Sequence, residues 1–271
     1  MRILLVGDVM GSAGRSALAY YLPQLKQDLR IDVTIANGEN AAHGCGITEK
    51  ICAQFYAWGV DCITSGNHIW DQREIIDYIQ HDPKLLRPAN FPVDTPGQGL
   101  YIHTLADGRR IAIINLMTRL FMAPLDDPFH SIDAMLNHLT LGEHCQAIVV
   151  DIHGEATSEK MAFAHYLDGR VSAVIGTHTH VPTADAHLLP GKTAYMTDVG
   201  MTGDYDSVVG IRKDLSIQRF VSKMPSNHFA PAEQNKMLCG VLITSDDATG
   251  KATAIEPVRV GDILPQTMPT I

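Results

Sequence analysis

His178 and His180 stand one residue apart in Gly176-Thr177-His178-Thr179-His180, just past the apolar run 171–175. That run reads as a buried strand that stops at Gly176. In an extended chain residues i and i+2 point the same way, so both imidazoles are expected on one side. Neutral imidazole is the commonest protein metal ligand. One His-X-His pair is equally well explained as two polar loop residues. The rest of the chain, however, repeats the arrangement of apolar strand, abrupt stop and metal-capable side chain. Asp8 follows the run 3–6, Glu39 and Asn40 follow 32–36, Asn67 follows 61–64, and His153 follows 147–150. Each alone has an ordinary explanation as a turn residue, a helix-entry cap or a satisfied core histidine. Five equivalent positions at strand ends outweigh those explanations, because open α/β sheets bind ligands beyond the carboxyl ends of their strands.

The donors are two carboxylates, one or two amide oxygens and three imidazoles, with no thiolate. That exceeds the needs of one tetrahedral zinc. It suits two ions of intermediate hardness, iron or manganese, with zinc compatible. Two ions about 3.5–4 Å apart can generate a nucleophile and clamp both oxygens of an in-line phosphoryl displacement. His68 directly follows Asn67. It would lie close to the ions but point elsewhere, which suits an acid that protonates a leaving oxygen. The competing explanation is a loop histidine with a structural hydrogen bond.

The elements that position these residues alternate between strand and helix. After the strand 3–6, leucines 18, 22, 25 and 29 recur at helical spacing over 15–29. Thr48 is a good N-cap for a helix running to 58. Helices are also expected over 71–80, 126–139 and 158–167. Asp107-Gly108 carries a type I′ hairpin signal between strands 99–104 and 109–117. Strands at 185–188 and 193–196, and a closing hairpin of 237–244 with 251–260, complete a mixed sheet pattern.

Composition sets the outer limits. The 271 residues are 45% hydrophobic and 19% charged, so the chain is folded, as one large domain or two small ones. Asp+Glu 30 against Lys+Arg 21 gives a net charge of −9, which argues against broad binding to a nucleic-acid backbone. The five cysteines are odd in number and contain no Cys-X-X-Cys, which fits a reducing cytoplasm rather than a disulfide framework. The N-terminal apolar run is too short for a signal peptide, and no stretch approaches a membrane span.

Gly7-Asp8, Gly66-Asn67-His68 and Gly176-Thr177-His178-Thr179-His180 resemble the calcineurin-like metallophosphoesterase superfamily. Two features depart from its usual pattern. The Asp-X-His of the first strand is Asp8-Val9-Met10, and Glu39 replaces the usual bridging Asp. Those departures resemble the YmdB-like family of bacterial cyclic-nucleotide phosphodiesterases. Its blocks match Gly38-Glu39-Asn40-Ala41-Ala42, Gly66-Asn67-His68-Ile69-Trp70-Asp71 and Thr197-Asp198-Val199-Gly200-Met201-Thr202-Gly203. The resemblance runs over nearly the whole chain, although Asp204 stands where a proline or small residue is usual.

The resemblance implies an α/β fold, a four-layer α/β/β/α sandwich with mixed sheets. The chain reads as one domain over 1–271, and its mixed, moderately polar stretch 203–231, with Arg212, Lys213, Arg219 and Lys223, is equally compatible with a flap or small cap over the site and with an ordinary surface helix pair. Asp8, Glu39, Asn40 and His180 would hold one iron or manganese ion. Glu39, Asn67, His153 and His178 would hold the other, with Glu39 bridging and His68 as proton donor. The implied reaction converts nucleoside 2′,3′-cyclic phosphates to 3′-phosphates, with 3′,5′-cyclic nucleotides as further candidates. The expected partner is a small cyclic nucleotide or an RNA end. No membrane is expected, and a homo-oligomer is compatible.

Three alternatives compete. An amidohydrolase also uses His-X-His with two metals, but places the pair on its first strand, whereas here it comes late. A phosphomonoesterase or nucleotidase could use the same ligands. A regulator could keep the metals as structural staples and bind a nucleotide or RNA. The few arginines near the ligand loops, Arg15 and Arg212, favour diesters, because a dianionic monoester is best gripped by bidentate guanidinium groups.

Overall fold

The computed structural model describes residues 1–223 and 230–270. Two mixed sheets face each other. The first has the order β11-β10-β1-β2-β3, built from β1 (Arg2–Val6), β2 (Val33–Asn37), β3 (Cys62–Thr64), β10 (Met237–Ser245) and β11 (Ala252–Gly261). The second has the order β4-β5-β6-β7-β9-β8, built from β4 (Leu100–Thr104), β5 (Arg110–Met117), β6 (Ala147–His153), β7 (Ala173–Thr177), β8 (His187–Leu188) and β9 (Ala194–Met196). Strands β1 to β3 are mutually parallel, as are β5, β6, β7 and β9. The remaining strands pair antiparallel.

Side-chain alternation along the strands produces three packed cores. On β1, Leu4 and Val6 pack with Leu18, Leu22 and Leu25 of α1 (Gly11–Asp28) and Phe55 of α2 (Glu49–Ala57). Ile3 and Leu5 point the other way and meet Ile113, Val149 and Ile175 of the second sheet. On β6, Ile148, Val150 and Ile152 pack under α4 (Pro128–Leu136) and α5 (Thr157–Tyr166) through Ile132, Phe163 and Leu167. The layers are therefore helix, sheet, sheet, helix, as expected. The inner face of β6 carries Ala147 and Val149, then Asp151 and His153. Polar groups thus replace apolar ones where the inter-sheet core reaches the ends of the parallel strands.

Several boundaries differ from the sequence expectations. α1 begins four residues early: Gly14 N donates to Met10 O at 2.9 Å and closes the first turn, where a Cβ on Gly14 would lie 2.3 Å from Thr202 O. The expected helix 71–80 shrinks to α3 (Ile75–Tyr78), preceded by turns such as Asp71 N to His68 O at 3.1 Å. The turn at 105–109 is not type I′. Gly108 N donates to Leu105 O at 3.0 Å, and Gly108 is its positive-φ residue, at +88°. This is a type I turn closed by a left-handed glycine. β6 continues through His153 and β7 through Gly176 to Thr177, so Gly176 does not end its strand.

In the expected flap, residues 203–212 form a turn-rich wall leading into α6 (Lys213–Ser222), and 224–229 lie outside the described residues. Asp204, 2% exposed, accepts from Asp206 N, Gln234 N, Asn235 N and Asn235 Nδ2. The unusual carboxylate therefore knots this wall to the strand entering β10. No described helix is long and apolar enough to cross a membrane.

Candidate metal centre

All eight residues singled out from the sequence meet at one end of the inter-sheet core. Asp8 is fully buried just past β1, and its Oδ2 accepts from His178 N at 3.1 Å. Glu39, 1% exposed, places Oε1 3.0 Å from His153 Nε2 and accepts from His68 N through Oε2 at 3.2 Å. Asn67 Oδ1 and His178 Nδ1 each lie 3.1 Å from the same His153 Nε2. Beside this group, Asn40 Oδ1 lies 3.2 Å from His180 Nε2.

His178 and His180 do not reach the site by strand alternation. Both have positive φ, 104° and 65°, so the turn is not extended. The expectation of two imidazoles on one side gives way to two imidazoles serving adjacent groups. His178 joins Glu39, Asn67 and His153, while His180 joins Asn40. Such strained backbone survives only where its surroundings over-determine it. Lys160, fully buried on α5, donates to Thr177 O and Asp198 Oδ2, each at 3.1 Å. Asp198 in turn accepts from Thr179 N and Gly200 N, each at 2.9 Å. The turn is clasped from beneath by a buried ion pair.

A second support fixes His153. Thr177 Oγ1 donates to Asp151 Oδ1 at 2.7 Å, so it accepts from His153 Nδ1 at 2.9 Å. This selects the orientation in which Nε2 faces Glu39, Asn67 and His178. Asp151 also accepts from Thr64 Oγ1 and Asn37 Nδ2, tying the two sheets together beneath the site. Gly66 is required by close approach, since a Cβ there would lie 2.2 Å from His153 Cδ2 and 2.3 Å from Glu39 Oε2.

The polar geometry suits cations. One N–H on His153 Nε2 cannot satisfy Glu39, Asn67 and His178 together. Asn40 Nδ2 donates to Gly44 O at 2.9 Å, which turns Oδ1 toward His180. His180 Nδ1 donates to Val209 O at 2.8 Å, so Nε2 faces Asn40 with its lone pair. Two acceptors thus oppose each other. Asp8 Oδ1 is buried with no hydrogen-bond partner. Glu39, His153 and His178 place one donor atom each within 4.8 Å of one another.

The titration of the protein groups reflects the same crowding. Burial pushes the Asp8 carboxyl up to about 6, against the pull of His180 and His153. Burial also raises Glu39, but His153 and the His68 N–H outweigh it and hold Glu39 at about 2. His153 is disfavoured as a cation by burial, yet Glu39, Asp8 and Asp151 lift it to about 9. A positive charge is therefore favoured among these carboxylates, and a protonated His153 supplies it. Burial and the neighbouring His153 push His178 down to about 3, leaving a neutral imidazole with one nitrogen lone pair for a ligand bond.

The site opens into a cleft of about 340 Å³ lined by Glu39, Asn40, His68, Glu155, His178, Thr179, His180 and Val209. No lysine or arginine lines it among the described residues. Arg15 instead donates to Ala41 O, bracing the Glu39–Asn40 loop. Arg212 pairs with Asp214 at 2.6 Å beside a separate cavity. Sequence reasoning missed Glu155, whose Oε2 lies 3.2 Å from His178 Nε2. It also missed Lys160 and Asp151. Glu155 stood two residues beyond a candidate ligand, which is a usable signal, whereas Lys160 had none inside a helical pattern.

The family model for YmdB-like proteins matches residues 4–258. The chain belongs to the YmdB-like family. It is 50% identical over 262 residues to the 2′,3′-cyclic-nucleotide 2′-phosphodiesterase of Bacillus subtilis, covering 97% of this chain and 98% of that protein. A hypothetical protein from Thermus thermophilus superposes with a TM-score of 0.90 at 41% identity, covering 97% of this chain and all of that one. The calcineurin-like phosphoesterase YfkN of B. subtilis superposes with a TM-score of 0.59 at 13% identity, over 96% of this chain and 90% of that one. That likeness shows the shared sandwich fold of this YmdB-like protein.

Proposed function

We propose that this YmdB-like protein is a phosphodiesterase that opens nucleoside 2′,3′-cyclic phosphates to 3′-phosphates at a two-metal centre. The B. subtilis relative carries that activity in its name. The observation that carries the reading is the pair of adjacent acceptor-lined groups beneath an open cleft, with His68 on the cleft wall. Asp8, Glu39, Asn40 and His180 would hold one ion. Glu39, Asn67, His153 and His178 would hold the second, with Glu39 shared. The all-oxygen and nitrogen donor set suits iron or manganese. When bound, two such ions supply Lewis acidity toward the phosphoryl oxygens and a nucleophile at neutral pH.

The chain's own groups do the rest. His68 presents its imidazole to the cleft and donates a proton to the departing 2′ oxygen. Asp71 Oδ2 holds His68 Nδ1 at 2.7 Å, which keeps the other nitrogen for the substrate. Glu155 braces His178. The absence of lysine and arginine from the cleft wall among the described residues favours a monoanionic diester over a dianionic monoester. A nucleotide or an RNA end presents the same cyclic group. On this reading the chain is one catalytic unit, with Val209 of the 203–212 wall on one side of the cleft.

The test is turnover by purified, metal-loaded protein. The kcat/KM for a nucleoside 2′,3′-cyclic phosphate should exceed that for the corresponding nucleoside monophosphates. A higher value for a monophosphate overturns the assignment.

A further inference from the structure

Cys45, His68 and Asp71 form a second cluster of metal-capable groups at the cleft mouth, and each offers a donor atom within 4.8 Å of the others. Zinc ligands about 2.0–2.3 Å from the ion stand about 3.4–3.7 Å apart in a tetrahedron, so small side-chain rotations close the set. The backbone that carries the three groups is already assembled. Gln72 Nε2 donates to Cys45 O at 2.8 Å, and Asp71 N donates to His68 O at 3.1 Å. Ala42 N donates to Gly46 O at 2.8 Å, closing the loop that presents Cys45. Gly46, at φ +78°, lets that loop approach so closely that a Cβ would lie 3.0 Å from Gln72 N. None of these contacts involves the three donor side chains. Cys45 is the one exposed cysteine, while Cys52, Cys62, Cys145 and Cys239 are buried.

We propose that Cys45, His68 and Asp71 bind a thiophilic divalent cation, zinc or a similar ion, at a site separate from the two-metal centre, and that the bound ion switches the enzyme off. The inference rests on the acid role of His68 in the proposed reaction. The donor set of thiolate, imidazole and carboxylate selects soft or borderline ions, whereas the deeper centre offers no sulfur. On binding, the Cys45 thiol proton and the His68 Nδ1 proton pass to solvent, the Nδ1–Asp71 hydrogen bond gives way, and sulfur–metal and nitrogen–metal bonds form. An ion on Nδ1 prevents His68 from becoming an imidazolium, and the Nε2–H that remains belongs to a neutral, metal-bound ring, a far weaker acid, so His68 can no longer supply the proton. Three protein ligands leave the fourth position to solvent.

The experiment adds cobalt(II) and, separately, zinc to the manganese-loaded full-length protein. Cobalt should produce a thiolate-to-metal charge-transfer band that saturates at one equivalent of added sulfur-bound ion. Zinc should inhibit hydrolysis of a nucleoside 2′,3′-cyclic phosphate. Cys45→Ser should lose the band, keep the basal rate in zinc-free buffer, and require at least about ten-fold more zinc for the same inhibition. Absence of the band in the unsubstituted protein, or equal zinc inhibition of Cys45→Ser, overturns the site. A normal band in a protein with no turnover of cyclic nucleotides sinks the phosphodiesterase reading and leaves the ion site standing.

Discussion

His68 Nδ1 lies 2.7 Å from Asp71 Oδ2, three residues further along the chain. The short span holds the imidazole beside the cleft that His68 lines, and the acceptor-only carboxylate takes the Nδ1 proton. The other nitrogen is then the one available to a leaving oxygen.

If His68 is that donor, His68→Ala should retain both ions of the two-metal centre, because none of that centre's proposed ligands is lost. The rate on a 2′,3′-cyclic nucleotide should fall by about 10²–10⁴-fold. A nitrophenyl diester, whose phenolate leaves without a proton, should lose far less. Asp71→Asn should show the same leaving-group dependence with a smaller loss, about 10–100-fold. Equal losses on both substrates would point to His68 stabilising phosphate charge instead.

Glu39 Oε1 lies 3.0 Å from His153 Nε2 and Oε2 accepts from His68 N at 3.2 Å, and the proposed reading makes this carboxylate the shared ligand. Glu39→Gln should empty or scramble both ion positions, abolish turnover and lower Tm, since ion binding favours the native state. Elemental analysis alongside the assay decides it. A variant with two ions per chain and near-normal turnover is incompatible with a shared ligand.

Lys160 and Asp198 are both fully buried and lie 3.1 Å apart. Lys160→Met leaves Asp198 as an uncompensated buried charge, which typically costs about 3–5 kcal/mol. Urea unfolding should show a loss of that size. Metal affinity should also drop, because the clasp under Thr177–Thr179 is released. A loss under about 1 kcal/mol would mean that the turn is held by its other contacts alone.

Asp204 supplies the pH dependence. Burial alone would raise its carboxyl, but bonds from Asn235, Asp206 and Gln234 outweigh it and hold it below the usual range. A depressed carboxyl stabilises the fold above the unfolded value, about 3.9, and loses that contribution as pH falls through the folded value. The stability gap between the unsubstituted protein and Asp204→Asn should therefore be widest near neutrality and shrink in acid. Denaturant titrations across that range test it. A gap that grows on acidification would reverse the sign and remove the carboxylate explanation.

The chemistry of the site was legible because it is written locally. Apolar runs that stop at Asp8, Glu39, Asn67, His153 and His178 announce strand ends, and covalent adjacency brings Asn40, His68 and His180 along. The layer order came from the family resemblance, with which the strand and helix alternation agrees. Local signals were weaker at boundaries. α1 starts early because Gly14 N closes a first turn onto Met10 O, and the helix expected over 71–80 gives way to the turns that bring Asp71 to His68. Only the tertiary structure could show the clasp of Lys160 on Asp198, the Asp151–Thr177–His153 relay, or Cys45 beside His68. Each joins residues on different elements, and no local propensity encodes their meeting. The same holds for His178 and His180. Their spacing suggested shared orientation, but the buried Lys160–Asp198 pair holds the turn while their separate contacts with His153 and Asn40 direct them to adjacent groups.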